Sequence, residues 1–599
     1  MNASPLLLDG SRKPRQKVWH LLPHDPRAIE QLGRHLHVPP IVAQLLLNRR
    51  LQEPGQAKLF LTTPMSGMHE PELLPGVVEA TERIWRAVQE KKPICIYGDY
   101  DVDGVTGTSI LLTALKHLGG QVEFHVPHRL TEGYGLNSRT LTILAQRGVR
   151  MLITVDCGIA SIAEAETARE LGLELIITDH HEPKESLPRA DVLVHPRLTI
   201  GSNGSAVRYP FGGLSGAGVA FKLAWALCKK ACGSPKVTPI LREFLLDAIV
   251  LAAMGTVADV VPLFDENRIF VRHGLTRLRS RPSIGLQALL RSAKLDTKSN
   301  LAAMDIGFSL APRINAAGRL GTAQFAVELL TTGCSQRASI LAEQLEVQNL
   351  ERQSIERRIF LEARAQAEAD HDSSAFVLAS AAWHPGLLGI VASRLADLYA
   401  RPVLMIALRD GLGQGSGRSV PGFKLHEALE ECTEHLISHG GHASAAGFRL
   451  RPDILESFRE QFCDVARRHF DTSPPAHRLV IDAEIPLSSL TSGLMAGLDQ
   501  LEPYGAGNAP PVFLAGPVQV VGQPRRVGNG ERHVSFRIKQ QGKHLKAIAF
   551  GMADRMDELM SAGGQCCIAF TPRFNEYQGW KTIELEVRDF QAGAQARLG

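Results

Sequence analysis

Between residues 77 and 194 the chain alternates short, wholly apolar runs with longer amphipathic stretches, and this alternation limits the possible fold more than any other feature. Apolar runs of this length are typical of strands buried on both faces, and the stretches between them have helical periodicity. The pattern predicts βαβ units around a parallel sheet, and therefore an α/β fold. The expected strands are Ile94–Tyr97, Val122–Val126, Met151–Val155, Leu175–Thr178 and Val192–Val194, and the expected helices are Val77–Glu90, Val105–Leu118, Ser138–Arg147 and Ser161–Leu171.

The length of the chain, 599 residues, indicates several domains, since one domain usually has about 150 residues. In the second α/β domain, we expect the strand Val403–Ile406 to be followed by a glycine-rich turn. A proline-rich break at residues 473–475 precedes a β-rich region of about five strands, which suits a small barrel such as an OB-fold. The expected divisions are an N-terminal extension packed on the first α/β domain (1–75), that domain (76–330), a long connecting helix (331–370), a second α/β domain (371–465) and the barrel (475–592).

The composition is that of an ordinary globular protein. Hydrophobic residues make up 44% and charged residues 21%, and the net charge of +4 permits a nucleic-acid partner only through local basic surface. The nine cysteines include no CxxC pair, so we expect buried thiols in a reducing compartment. No stretch reaches the roughly 18 apolar residues of a membrane helix, and the N-terminus lacks the apolar core of a secretory signal. We therefore expect a cytoplasmic protein without membrane association.

Three aspartates at alternate positions follow the first predicted strand. Asp99, Asp101 and Asp103 come directly after that apolar run and are followed at once by Gly104. Carboxylates this close together either raise one another's pKa or bind cations, because like charges repel. This segment is therefore the first candidate for a metal site.

Acids and histidines also follow later strands. Asp156 follows the third predicted strand, the run Asp179-His180-His181 follows the fourth, and Asp259 lies in a later segment. Because the carboxyl ends of parallel strands lie along one edge of a sheet, these residues are expected to meet in one crevice. Carboxylates with one or two histidines favour Mg²⁺ or Mn²⁺ over structural zinc. So many acids suit two ions about 3.5–4 Å apart, an arrangement that hydrolyses phosphoesters.

Each of these signals has an ordinary explanation when taken alone. An acidic run in a loop is usually a solvated turn, adjacent histidines are usually a capping or core pair, and Asp156 could be a helix N-cap. Their joint occurrence after three predicted strands favours a metal site over these explanations.

Four segments resemble the motifs of the DHH phosphoesterase superfamily. They are YGDYDVDGVT (97–106), TVDCGI (154–159), TDHHE (178–182) and GTVADVVP (255–262). The resemblance extends, in the same order over roughly residues 70–590, to the RecJ family of single-strand-specific 5′→3′ DNA exonucleases. The further matching segments are RINAAGR (313–319), NLERQ (349–353), GSGRS (415–419), PGF (421–423), GGHASAAGF (440–448) and PYGAGNAPPVF (503–513).

The resemblance implies a set of site residues. Superfamily relatives carry a histidine four residues before the middle aspartate of the first motif, where this chain has Tyr97. Either Asp99 substitutes for that histidine or one ion is held more weakly. The implied metal ligands are Asp99, Asp101, Asp103, Asp156, Asp179, His180 and Asp259. The implied catalytic residues are Asp101, Asp103, Asp156, His180 and His181.

The second α/β domain is expected to clamp the substrate. Glycines before a histidine let a backbone approach a phosphate closely, although alone they also fit a tightly packed helix start. Arginines and serines in glycine-rich segments are suited to phosphate contacts. The candidates are Arg313, Arg319, Ser416, Arg418, Ser419, Gly440, Gly441 and His442. The resemblance implies that one such cluster holds the 5′-terminal phosphate and sets the polarity.

The barrel region combines basic and aromatic residues, as single-strand grooves do. Because barrel aromatics are usually core residues, we expect one or two of them to contact nucleic acid. The basic residues are Arg525, Arg526, Arg532, His533, Lys543 and Lys546, and the aromatic residues are Phe536, Phe574, Tyr577 and Trp580.

These observations predict a metal-dependent exonuclease that removes mononucleotides from the 5′ end of single-stranded DNA in recombination and repair, with two Mn²⁺ or Mg²⁺ ions. A DHH phosphodiesterase of short oligoribonucleotides or cyclic dinucleotides is the second interpretation, but a small substrate has no need of a strand-binding barrel. A non-catalytic DNA-binding adaptor is the third, but such a protein would be expected to lose the acids and histidines retained here. The resemblance implies a single-strand-binding protein and a helicase as partners, and we expect a monomer.

Overall fold

The computed structural model describes residues 17–129, 131–200, 207–321, 323–472, 478–561, 563–577 and 580–598. The chain forms two compact units: one comprises residues 65–475 and 505–507, and the other comprises residues 1–64, 476–504 and 508–599. The proline-rich break expected at 473–475 and most of the N-terminal segment considered for a signal lie outside the described residues. Within the described ranges, no helix is long and apolar enough to cross a membrane.

Residues 17–64, the described part of the N-terminal segment within its unit, contain one strand and three helices that each begin with proline, the residue favoured at the first helical position. These elements are β1 (Val18–Leu21), α1 (Pro26–Leu36), α2 (Pro40–Asn48) and α3 (Pro54–Thr62). We expected residues 1–75 to pack on the first α/β domain, but those up to residue 64 group with the C-terminal unit. The reason is that β1 pairs in parallel with Arg478–Ile481, and Asn48 Nδ2 donates to the carbonyl of Asp482 at 3.0 Å.

The first α/β domain is built on a five-stranded parallel sheet with the strand order β3-β2-β4-β5-β6, as predicted. Its elements are α4 (Val77–Gln89), β2 (Ile94–Tyr97), α5 (Val102–His117), β3 (Val122–His125), α6 (Ser138–Gln146), β4 (Met151–Thr154), α7 (Ile162–Glu170), β5 (Glu174–Thr178) and β6 (Val192–Val194). Helix α5 begins earlier than predicted because Asp101 caps it, accepting a hydrogen bond from the backbone N–H of Gly104 at 3.1 Å.

The remainder of this domain is mostly helical. Helices α8 and α9 both pack on α5 and so bring their ends to the carboxyl edge of the sheet. The elements are β7 (Thr199–Ile200), β8 (Val207–Arg208), α8 (Gly216–Cys232), α9 (Pro239–Ala258), α10 (Asp265–Ser280), α11 (Ile284–Ser292), α12 (Ala303–Asp305) with a following π-helical turn (Ile306–Leu310), α13 (Ala311–Leu320) and α14 (Gln324–Thr331).

A 35-residue helix, α15 (Ser335–Ala369), confirms the predicted connecting helix. It packs against α11 and α13 of the first domain and against two elements of the second. The second domain contains β9 (Phe376–Ser380), α16 (Leu388–Tyr399), β10 (Val403–Arg409), β11 (Leu412–Arg418), α17 (Leu425–Glu430), β12 (Ser438–Gly441), β13 (Ala445–Leu450) and α18 (Leu455–Thr472). Its sheet has the order β12-β13-β11-β10-β9, in which β9 and β10 are parallel.

The expected glycine-rich turn after β10 is wrong, because most of these glycines continue as strand β11. The glycines leave room for side chains of the neighbouring strand: a Cβ on Gly415 would lie 2.1 Å from the ring of Phe448. Residues Gly440 and Gly441, for which a helix start was the alternative, end the edge strand β12.

The C-terminal unit contains a six-stranded sheet that closes through pairing of β16 with β19, which confirms the predicted barrel. Its elements are β14 (Arg478–Ile481), β15 (Ala483–Glu484), α19 (Ser492–Asp499), β16 (Phe513–Val527), β17 (His533–Gln540), β18 (Lys543–Ala549), α20 (Met556–Ser561), β19 (Gln565–Tyr577) and β20 (Trp580–Ala592). Phe536 lies in the barrel core, whereas Phe574 is exposed.

Candidate metal centre

The centre of the site is a close pair formed by Asp156 and His180 at the ends of β4 and β5. His180 Nε2 lies 3.0 Å from Asp156 Oδ1, and both side chains are buried. The backbone of Asp156 has a φ of 64°, so this aspartate is not the N-cap considered above but holds a strained left-handed turn. Helix α7 begins only at Ile162. Strain of this kind is typical of residues whose side-chain direction is fixed for function.

Asp103 and Asp259 approach the same histidine from two helices. Their Oδ2 atoms lie 3.6 and 3.5 Å from His180 Nε2. Asp103 is in the first turn of α5, and Asp259 is the C-terminal residue that ends α9. The N-terminus of α8 holds Asp103 in place, since the backbone N–H groups of Gly216 and Ala217 donate to its carboxylate at 2.6 and 2.9 Å.

Asp99 and Asp101 complete the group. One oxygen of each lies within 4.8 Å of an oxygen of Asp156. Tyr97, which stands where relatives carry histidine, packs in the core and donates its hydroxyl to the carbonyl of Gly135 at 3.2 Å. Asp99 lies beside the other acids, which is the position that substitution for the missing histidine requires.

Burial and mutual repulsion oppose ionisation of these carboxyls. Burial, followed by the charge of Asp101, raises the pKa of Asp103 to about 7. Burial, followed by the charges of Asp103 and Asp101, raises the pKa of Asp259 to about 8. The pKa values of Asp99 and Asp156 are also raised, first by burial and then by neighbouring aspartates. Such an accumulation of buried acids is typical of a cation site.

The histidines differ in protonation. Burial, followed by the charge of His181, lowers the pKa of His180 to about 3, so that its ring is neutral, the form that binds metal ions. Burial also opposes the charge on His181, but the hydrogen bond of its Nδ1 to Asp179 Oδ1 at 2.7 Å outweighs burial and raises the pKa to about 9. The hydroxyl of Tyr134 lies 3.2 Å from the same Nδ1.

Asp179, predicted as a metal ligand, has its carboxylate engaged in hydrogen bonds within the protein. Its oxygens accept hydrogen bonds from the backbone N–H groups of Ile159 and His180 at 2.9 and 2.7 Å, as well as from His181. Burial opposes its ionisation, but these bonds, led by that from His181, lower its pKa to about 2. A carboxylate engaged in this way orients a neighbouring histidine.

The residues fit a divalent metal ion. Asp99 Oδ1, Asp156 Oδ1 and His180 Nε2 are buried, and none has a hydrogen-bond partner in the part of the chain that the structure describes. Buried polar atoms are almost always satisfied, so three such atoms in one place indicate a missing partner that accepts electron pairs. Carboxylate oxygens with one imidazole nitrogen are the donors that Mn²⁺ and Mg²⁺ take.

A cationic cluster lies beside this acid cluster. Arg319 on α13 and Arg418 on β11 are half-buried, and burial, followed by the charge of Arg129, lowers the pKa of both, that of Arg319 to about 10. The guanidinium of Arg129 lies 5.0 Å from the ring centre of Tyr100. Tyr100 stands between Asp99 and Asp101 in the sequence, so Arg129 lies beside the loop that carries these acids.

Several predicted phosphate contacts are engaged elsewhere. Arg313 pairs with Glu346 on α15 at 2.5 Å, and Ser419 Oγ donates to the carbonyl of Phe423 at 2.6 Å. His442 lies in the exposed turn between β12 and β13. Of the predicted residues, Arg319 and Arg418 form the cationic cluster, and Ser416 joins them, since its Oγ lies 3.4 Å from Arg418 Nη1.

Two residues beside the site, Arg129 and Tyr134, were missed in the sequence. Both lie in the loop that follows β3, the edge strand, and this loop contributes no acid to the site. The rule that ligands bind at the carboxyl ends of parallel strands applies to β3 as well, and it is the signal that could have identified them.

Sequence profiles of known families match three parts of the chain. The profile described as "DHH family, N-terminal domain" matches residues 93–253, "DHHA1 domain" matches 372–468 and "RecJ OB domain" matches 481–589. Fold and site together therefore define a DHH-family protein with a DHHA1 domain.

Curated relatives and solved structures narrow this class. The chain is 36% identical to the single-stranded-DNA-specific exonuclease RecJ of Bacillus subtilis, over 95% of this chain and 70% of that protein. It is 35% identical to the protein of the same name from Dickeya dadantii, over 92% and 95% of the two chains. The crystal structure of RecJ from Thermus thermophilus in complex with Mn²⁺ matches 97% of this chain and 80% of its own, with a TM-score of 0.82 and 31% identity. The chain belongs to the RecJ family.

Proposed function

We propose that this protein is a divalent-metal-dependent exonuclease that hydrolyses single-stranded DNA from the 5′ end to mononucleotides, in DNA recombination and repair. The relatives named as single-stranded-DNA-specific exonucleases support the substrate, and the Thermus structures with Mn²⁺ and with Mg²⁺ support the metal. The observation that carries the proposal is the acid cluster with the cationic cluster beside it.

The metal would be held by six side chains, five carboxylates and one imidazole. When bound, two Mn²⁺ or Mg²⁺ ions supply an activated hydroxide and neutralise charge on the attacking and leaving oxygens of the phosphodiester. The proposed ligands are Asp99, Asp101, Asp103, Asp156, His180 and Asp259.

The other side chains orient groups around the scissile phosphate. Asp179 accepts a hydrogen bond from Nδ1 of His181 at 2.7 Å and so fixes the direction of that ring, which would donate to a phosphate oxygen. Tyr134 donates its hydroxyl to the carbonyl of Asp156 at 3.2 Å and lies 3.2 Å from Nδ1 of His181, so it would keep that ring over the site.

The cationic cluster would hold the terminal phosphate. Arg319, Arg418 and Arg129 bring three positive charges to one place beside the acids. Since a 5′-terminal phosphate carries more negative charge than an internal phosphodiester, such a cluster favours the chain end. Binding the end there and cleaving at the acids gives 5′→3′ polarity.

Digestion of single-stranded DNA labelled separately at its 5′ and 3′ ends, with Mn²⁺, Mg²⁺ or chelator, tests the proposal. We expect 5′-labelled mononucleotide to appear at once, while the 3′ label remains in shortening strands. A ladder running from the 3′ end would contradict the polarity, and activity in chelator would contradict the metal. Faster cleavage of a dinucleotide than of a long strand would instead favour the small-substrate phosphodiesterase.

The proposal extends to partners and location. By resemblance to the family, a single-strand-binding protein and a helicase would supply the strand, and the enzyme would act as a monomer in the cytoplasm. Light scattering of the pure protein and co-purification with each partner test these points.

A further inference from the structure

The middle of α15 carries a buried polar ladder that the proposed chemistry does not use. Asn349, Arg352 and Glu356 lie on one face of the helix and are 2%, 9% and 8% exposed. Arg352 donates from Nη2 to Asn349 Oδ1 at 3.1 Å and from Nη1 to Glu356 Oε2 at 2.5 Å. Burying charged groups costs free energy that their partners must offset, so the further contacts of the ladder indicate what it joins.

Glu356 also binds the second α/β domain. Arg394 on α16 donates from Nη1 to Glu356 Oε1 at 2.7 Å, and its guanidinium lies 4.5 Å from the ring centre of Phe360 on α15. The two oxygens of Glu356 are therefore divided between Arg352 of the connecting helix and Arg394 of the second domain. Charge-assisted bonds in a buried setting are strong and directional, so this carboxylate is a fixed link between the two elements.

The same stretch of α15 faces the cationic cluster. The charge of Arg352 is one of the causes that lower the pKa of Arg319, after burial and Arg129. Arg319 in turn donates from Nη1 to the carbonyl of Gly386, in the turn that leads into α16, at 2.8 Å. Two polar links, Arg319 to Gly386 and Glu356 to Arg394, thus join the first domain and α15 to the second domain.

This geometry matters because the cationic cluster is divided between domains. Arg319 stands on α13 of the first domain, where neighbouring Gly318 packs so closely that an added Cβ would lie 2.2 Å from the carbonyl oxygen of Tyr100. Arg418 stands on β11 of the second domain. The position of Arg418 relative to the acids therefore depends on how firmly the second domain is held.

We propose that Glu356 is a positioning residue that fixes the distance between the cationic cluster and the acid cluster, and thereby the length of the product. The inference rests on the proposed function: if the terminal phosphate is bound at one cluster and hydrolysis occurs at the other, their separation sets how many nucleotides leave in each step. A loosened link lets Arg418 shift, so that longer products are released and the reacting groups are less well aligned.

Product length from a 5′-³²P-labelled single strand tests this inference in the full-length protein with Mn²⁺. The variants are Glu356→Gln and Arg394→Gln, and the matched controls are Glu351→Gln and Arg357→Gln, whose side chains are exposed on the same helix. We expect labelled mononucleotide from the wild type and the controls. Glu356→Gln and Arg394→Gln are each expected to release a tenth or more of the label as di- and trinucleotides, with kcat about 10-fold lower and KM changed less.

Three further measurements keep the outcome unambiguous. Arg394→Lys retains the charge and is expected to restore most of the mononucleotide product, and the double variant Glu356→Gln/Arg394→Gln should be no worse than the poorer single variant. Thermal unfolding shows whether each variant folds, and if Glu356→Gln does not, the partly exposed Arg394 decides the question. Mononucleotide alone at wild-type kcat from folded Arg394→Gln would overturn the inference, whereas an inactive wild type would overturn the proposed function itself.

Discussion

At the scale of single residues, the acid cluster is arranged for binding a cation and not for stability. Four aspartates have raised pKa values because burial and neighbouring charges oppose their ionisation. The two histidines are driven to opposite protonation states within 4.6 Å of each other, measured between ring centres. The repulsion between these buried carboxylates lowers the stability of the empty site and is relieved when a cation binds.

Replacing one acid should therefore separate stability from activity. For Asp156→Asn we expect exonuclease activity to fall by roughly 10²–10³-fold or more, because a preorganised charge is lost. The unfolding midpoint of the metal-free protein should be unchanged or higher, since one of the repelling carboxylates is gone. Activity assays and calorimetry in chelator check both. Asp296→Asn, at an exposed position, should change neither quantity, and a strongly destabilised Asp156→Asn would contradict this account.

Close packing at Gly318 predicts a second effect at this scale. An added Cβ would lie 2.2 Å from the carbonyl oxygen of Tyr100, so α13 would have to move away from the loop that carries Asp99 and Asp101. For Gly318→Ala we expect a stability loss of about 1–3 kcal/mol and reduced activity. The control Gly307→Ala, whose nearest neighbour would be Val257 at 3.6 Å, should be close to neutral. Denaturant unfolding of both variants measures the difference.

The site residues could be predicted from sequence to the extent that they follow apolar strands. The residues Asp101, Asp156 and His180 were predicted in this way, and the structure brings them together. The role of Asp179 could not be read from sequence, because whether a carboxylate faces the site or a neighbouring N–H depends on backbone direction in one short loop. The pairing of Arg313 with Glu346 could not be read from sequence either, because the partner is 33 positions away on another helix.

At the scale of elements, those set by a local sequence pattern were predicted, and those set by a partner distant in sequence were not. Strands β2, β4 and β5 lie where their apolar runs predicted, since burial on both faces leaves a local pattern. Strand β11 was missed because its glycines resemble a turn in sequence, whereas in the structure they leave room for the ring of Phe448 on a neighbouring strand. The placement of the N-terminal segment was missed for a similar reason: the partner of β1 is β14, more than 450 residues later.

The barrel allows a prediction about strand binding. Arg537 and Lys539 are exposed on β17, and in the adjacent strand they face Lys546 and His544. If this face neutralises phosphates, Arg537→Ala and Lys539→Ala should each weaken binding of single-stranded DNA and lower the slope of log affinity against log salt by about 0.7. Fluorescence anisotropy of a labelled oligonucleotide at several salt concentrations measures the slope. An unchanged slope would exclude the face, and Lys58→Ala, an exposed lysine on α3, serves as the control.

At the scale of the whole molecule, the chain separates metal chemistry from the barrel. All the proposed ligands lie in the unit of residues 65–475, and the described part of the other unit contains no group of three or more side chains placed for a metal ion. A ligand that binds only the folded state stabilises the unit that holds it. Metal addition should therefore protect one unit and leave the other unchanged.

Hydrogen exchange with and without Mn²⁺ tests this expectation. At a Mn²⁺ concentration about 100 times the dissociation constant, we expect slower exchange in β2, β4 and β5 by an amount equivalent to about 2.7 kcal/mol, since opening these strands releases the ion. Exchange in β16–β20 should not change. Protection of the barrel to the same degree would show that the two units unfold as one, and Asp156→Asn should abolish the effect in the first unit without altering exchange in the second.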